Sequence, residues 1–191
     1  PVNHWRECSR DAVSVGAMKT LLNRTILFPL LSLFFTGMLH AEKIEIAGYS
    51  FSSPEKWVSS TPTSKMRKAQ FSVPGENGKN AEVAFFHFGN GGAGGVKANV
   101  DRWMKQFEEA KDRTIKSTVI GEVPVTYAQA HGTFLSGSAF GPKTPKPNYA
   151  LLAAIISGKN GSIFIKMTGP KETVEAQVSN MKKMVLNSLD K

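Results

Sequence analysis

The chain has 191 residues, 41% hydrophobic, 20% charged and 9% aromatic, with 24 basic against 15 acidic residues for a net charge of +9. This balance excludes a wholly disordered chain, and the length suits one ordinary domain with an extension. One cysteine excludes a disulfide scaffold or a cysteine-rich zinc module, and no apolar run reaches the ~20 residues that cross a bilayer.

The sequence opens on Pro1, and its first methionine is Met18. Lys19 and Arg24 form a positive region, Ile26 to Phe35 an apolar one, and Leu39-His40-Ala41 resembles a cleavage site. Residues 18–41 therefore read as a secretory signal peptide, and 1–17 as translated leader outside the mature protein. Pro29 interrupts the apolar stretch, which is too short for an anchor. No cysteine follows it, so no lipid anchor is expected, and no twin-arginine pair precedes it. The expected product is a single domain over 42–191, periplasmic or extracellular, with no stable membrane insertion after cleavage. Cys8 falls in the leader, so the mature chain has no thiol. Taking away Arg6, Arg10, Lys19, Arg24, Glu7 and Asp11 leaves 20 basic and 13 acidic residues, a net charge of +7.

In chain order, Lys43 to Phe51 reads as a strand, closed by Ser52-Ser53-Pro54. Ser64 to Val73 is a second, half-polar strand, and Pro74 to Gly78 a turn. Ala81 to Phe88 is a third strand, with Val83 and Phe85 on one face and Ala84, Phe86 and Phe88 on the other. A strand apolar on both faces needs cover on both. Val96, Val100, Trp103, Met104 and Phe107 recur at helical spacing and predict an amphipathic helix. Thr114 to Ile120 and Val123 to Thr133 form a hairpin around Gly121-Glu122. Phe140 to Pro147, with three prolines, reads as a stiff loop. Tyr149 to Ile156 is a central strand, turned by Gly158 to Gly161 into Ser162 to Thr168. Gly169-Pro170 opens a closing helix whose stripe is Val174, Val178, Met181, Val185 and Leu189. The expected class is α+β: an antiparallel sheet covered by helices on both faces, an α/β/α sandwich.

Chemical motifs are sparse. Gly89, Gly91 and Gly94 match G-x-G-x-x-G between a strand and a helix. Hairpins follow that helix instead of βαβ units, and the acid of a dinucleotide site would fall near Glu109 or Asp112, away from a strand end. A flexible turn is the plainer reading, and no cofactor is expected. His87 and His131 are the histidines of the mature chain. No His-Glu-x-x-His and no i, i+4 pair occurs, so no metal site is expected. No G-x-S-x-G elbow occurs either, although members of a Ser-His-Asp triad need not be neighbours in sequence. Lys65, Arg67 and Lys68 crowd one strand and Lys143 and Lys146 one loop, without the interleaved aromatics of a nucleic-acid site. Candidate binding residues are Gly91, Gly92, Gly94, Asn99, Arg102, Lys143 and Lys146.

The strand AEVAFFHFG with its glycine turn, then Asn99, Arg102, Trp103, Gln106 and Phe107, with GPKTPKP and MTGP, resembles a family of uncharacterised exported bacterial proteins. Phe51-x-x-Pro54-x-x-Trp57 and the strand order are similar to the photosystem II extrinsic subunit PsbP and its relatives. The resemblance implies an antiparallel sheet between helices, and a binding or accessory role without catalysis. The expected function is a non-catalytic binding protein of the cell envelope, with a protein or another envelope component as partner and no nucleic acid. The alternatives are a hydrolase using His87 or His131, and a binder of anionic envelope polymers. Oligomeric state stays open at this stage.

Overall fold

Among the described residues, two short strands come first. A computed structural model describes residues 41–137 and 141–190; the leader and signal readings, Ala41 apart, and Phe140 lie outside them. β1 (Lys43–Ile46) pairs antiparallel with β2 (Tyr49–Ser52). The single strand expected over this stretch is thus a hairpin. Ala47 and Gly48 both take left-handed φ, 54° and 87°, which suits a two-residue turn matched to strand twist.

The main sheet has seven antiparallel strands in the order β3-β4-β5-β9-β8-β7-β6. They are β3 (Val58–Ser59), β4 (Arg67–Val73), β5 (Ala81–His87), β6 (Phe107–Ile120), β7 (Val123–Ser136), β8 (Thr144–Gly158) and β9 (Gly161–Pro170). Among the described residues three α-helices accompany them: α1 (Val96–Met104), α2 (Lys171–Glu175) and α3 (Val178–Leu189). The architecture is α+β.

Alternation along β8 divides the core. Leu152, Ala154 and Ile156 pack with Phe51, Phe71, Phe85, Met181 and Val185. Leu151, Ala153 and Ile155 pack with Val100, Trp103, Phe107 and Phe164. One strand can feed two clusters because successive side chains point to opposite sides of the pleat.

Several expectations are corrected. The second strand begins at Arg67, because Ser64 to Met66 turn and Arg67 N–H bonds to the Ser64 carbonyl. α1 stops at Met104, and Phe107 opens β6, where its ring meets Phe134 at 5.1 Å. β6 starts seven residues earlier than Thr114, since an edge strand with one partner tolerates the charged run Glu108 to Arg113 and two register shifts. Thr144 to Pro147 belong to β8 and form no loop: Pro145 pairs with Leu135 and Lys146 with Phe134. β9 pairs with β8 only from Tyr149 onward. The proline end of β8 is therefore locally an edge, where a missing N–H leaves no broken ladder. Pro170 ends β9 and caps α2 from outside, and the closing helix is split at Ala176-Gln177. Its stripe holds across the split: Val174, Met181, Val185 and Leu189 are buried and Val178 packs against them.

Candidate functional site

β9 carries a lysine where its pattern calls for an apolar residue. Ile163, Ile165 and Met167 enter one core cluster, while Phe164, and by alternation Lys166, point toward the cluster of α1. Lys166 sits between Ala84 of β5 and Ala153 of β8, both buried. Its ammonium donates to Gln106 Oε1, just beyond α1. Burial pushes its pKa down to about 8, the Arg102 and Arg67 guanidinium groups push the same way, and the Glu82 carboxylate opposes them.

Each arginine is positioned by an amide. Arg102 donates through Nη2 to Asn99 Oδ1. Arg67 Nη1 meets Glu82 Oε1 at 2.8 Å and Gln70 Oε1 at 2.6 Å, and Gln70 Nε2 donates to Glu82 at 3.1 Å. Aromatic rings interleave these cations. Lys166 Nζ lies 5.7 Å from the Phe134 ring, which stacks on Tyr149 with 5° between planes, and Lys146 Nζ lies 5.5 Å from Tyr149. Arg67 stands over Phe86 at 5.9 Å. Arg67 is paired with the Glu82 carboxylate, and Lys166 feels Arg67, Arg102 and Glu82 together. Lys146 is reached through the stacked rings, so this face carries four cations against one carboxylate. Such a surface can hold carboxylates or phosphates while its rings take apolar groups.

The candidate residues divide here. Arg102 and Lys146 belong to this face. Asn99 is buried, 2% exposed, and its amide donates to the carbonyls of Ala93 at 2.8 Å and Gly95 at 3.0 Å, so it fastens the glycine loop from within. Gly91 and Gly94 hold φ of 74° and 73°. Gly92 has no room for a side chain, since a Cβ would stand 2.3 Å from the Phe88 carbonyl oxygen. The loop therefore uses its glycines for its own turn, and three of its carbonyls face the Asn99 amide. Gly94→Ala is expected to cost about 1 kcal/mol. NAD, ATP and FAD are expected to leave the melting temperature unchanged; a saturable thermal shift at micromolar nucleotide would contradict the turn reading. Lys143 lies exposed just before β8.

Sequence reasoning missed Lys166, Gln70 and Glu82. The available signal was Lys166 itself, a charge in phase with Phe164 inside SIFIKMT.

A second place gathers polar groups. His131 on β7 meets Asp112 of β6, Nδ1 to Oδ2 at 3.4 Å, beside a cavity of about 320 Å³ lined also by Glu108, Lys111, Thr133 and Lys171. Glu109, Asp112 and Asn148 near it take left-handed φ of 48°, 48° and 55°, costly for residues with a Cβ. The Asp112 carboxylate is largely exposed beside the histidine. His87 Nδ1 lies 3.2 Å from the Ser162 carbonyl oxygen. Among the described residues no three His, Cys, Asp or Glu side chains are grouped to hold a metal, and no helix is long and apolar enough to cross a membrane.

No family model matches the chain, and no curated protein does. Among solved structures it is similar to the cyanobacterial PsbP of Synechocystis, at 17% identity and TM-score 0.48, over 84% of this chain and 98% of that one. It is also similar to a protein of unknown function from Pseudomonas aeruginosa, at 12% identity and TM-score 0.42, over 77% of this chain and 94% of that one.

Proposed function

We propose that the chain is an exported, non-catalytic binding or accessory protein of the bacterial cell envelope. Its contact surface is the face of Arg67, Arg102, Lys166 and Lys146, and its partner is an acidic protein segment that also presents apolar side chains. The observation that carries this reading is Lys166: a half-buried cation set between Ala84 and Ala153 and near two arginines costs stability, and an arriving carboxylate offsets that cost. The interleaved rings Phe86, Phe134 and Tyr149 favour a peptide over a bare anion. The proposed platform has three layers, with helices over both faces of the sheet; in its support, α1 residues belong to one core cluster and α3 residues to the other.

The test begins with export. Expressed from Met18 in a Gram-negative host, the protein is expected in the periplasm with Glu42 as its N-terminus. The purified product is then titrated with a peptide of alternating Glu and Phe, and separately with anionic lipid vesicles. Saturable peptide binding that weakens with salt, and falls at least about tenfold in Arg102→Gln with Lys146→Glu, supports the reading. Vesicle binding without peptide binding would transfer the face to anionic envelope polymers or lipids, and no binding to either would refute it.

The His131–Asp112 contact favours one further reading, a hydrolase in which Asp112 orients His131 as a general base. That reading requires hydrolysis of an ester or peptide substrate that His131→Gln abolishes while the fold persists.

A further inference from the structure

β6 is an edge of the seven-stranded sheet, and it is long: fourteen residues, against two in β3 at the opposite edge. Its two halves differ. From Phe107 to Arg113 the pairing with β7 is broken by two register shifts, with Glu109 and Asp112 in left-handed conformation. Such bulges twist an edge and spoil it as a template. From Thr114 to Ile120 the ladder runs without interruption against Gln129 to Val123. Alternate backbone N–H and C=O groups of this half point away from β7.

The same half carries two conspicuous side chains. Ile115 is 57% exposed and Val119 64%, the latter the most exposed of the large hydrophobic residues described. They lie on one side of the strand with Ser117 between them, by the two-residue repeat. The Ser117 and Thr126 hydroxyl oxygens stand 3.0 Å apart, a side-chain bond that ties this half to β7.

We propose that this half-strand pairs antiparallel with the same segment of a second copy, joining two sheets edge to edge about a two-fold axis at Ser117. The segment reads T-I-K-S-T-V-I. Centred on Ser117, antiparallel pairing sets Ile115 against Val119 of the other copy, and Val119 against its Ile115. Lys116 then faces Thr118, and Thr114 faces Ile120. Every directly opposed pair is apolar–apolar, hydroxyl–apolar, hydroxyl–hydroxyl or charge–hydroxyl, and no like charges stand opposite. Cross-strand pairs of β-branched residues are the contacts that stabilise such a ladder. A symmetric contact uses one patch twice, so the patch must complement itself, and this register does. Lys116 of each copy lies only diagonally from its mate, at roughly 7–8 Å. The pairing should therefore tighten as salt screens the two ammonium groups, opposite to the salt response of the basic face.

Sedimentation of the exported protein at increasing concentration reads the outcome. A concentration-dependent dimer, stronger at high salt and lost in Ile115→Lys with Val119→Lys, is expected; both side chains are exposed, so the double variant should keep the wild-type circular dichroism. The chain from Met18 onward has no cysteine. Ser117→Cys is therefore expected to form an intermolecular disulfide under mild oxidant, and Thr114→Cys to do so far less. A monomer at roughly 100 µM in high salt, or a dimer that survives the double lysine variant, would overturn the proposal. A dimer that cross-links better through position 114 would overturn the register. None of these readouts depends on peptide binding at the basic face.

Discussion

Trp103→Ala is expected to destabilise the domain by about 3–5 kcal/mol, with a fall in melting temperature of roughly 10 °C. Trp103 is 5% exposed and its indole stands edge-on to Phe164, 6.2 Å between centroids and 89° between planes. Val100, Met104 and Phe107 close the same cluster around Leu151, Ala153 and Ile155. α1 is nine residues long and lacks a side-chain cap, so it has little stability of its own and depends on this anchor. The neighbours are held by sheet and helix backbone and cannot collapse into the space an indole leaves. A melting temperature within a degree of the parent would mean that Trp103 does not anchor α1.

Lys166→Met is expected to act the other way, raising stability by about 1–3 kcal/mol at neutral pH. The folded-state pKa is about 8 against an ordinary 10.5, so between these values the unfolded chain binds more protons than the folded one. Stability of the parent therefore rises with pH across that window, as the folded state sheds a charge it holds at a cost. Below pH 8 the full penalty is present, and methionine removes it, less about 1 kcal/mol for the bond lost to Gln106. Thermal unfolding of both proteins from pH 7 to pH 10.5 should show the advantage of the variant shrinking as pH rises. The same substitution should weaken binding of the acidic peptide. A variant less stable than the parent at pH 7 would show that Lys166 is a structural cation, and would remove the observation on which the binding face rests.

Much of the framework was legible. The faces of β5, with Val83 and Phe85 on one side and Phe86 on the other, follow from its two-residue repeat. Gly121-Glu122 marked its hairpin, and both residues adopt left-handed φ. The stripe from Val174 to Leu189 announced helix, although only the structure divides it at Ala176-Gln177. The failures share a cause. The sequence pattern starts the strand only at Thr114, leaving out Glu108 to Arg113, and places Pro145 and Pro147 in a loop, because both segments are edge strands. An edge strand has one neighbour, and its exposed side sets no pattern.

The binding face was legible only in pieces. Arg102 and Lys146 were among the candidates, and Arg67 among the crowded cations, yet nothing linked them. Lys166 joins them from β9, 64 residues after Arg102, with Glu82 on β5 and Phe134 on β7. Alternation and helical spacing are local properties, so the sequence by itself determined the α+β class, most elements and the faces they bury. The company of Lys166, the His131–Asp112 contact and the place of β6 at the edge of the sheet were decided by the tertiary structure. They arise from strand order and register, and these are set by the shared core that distant segments bury together.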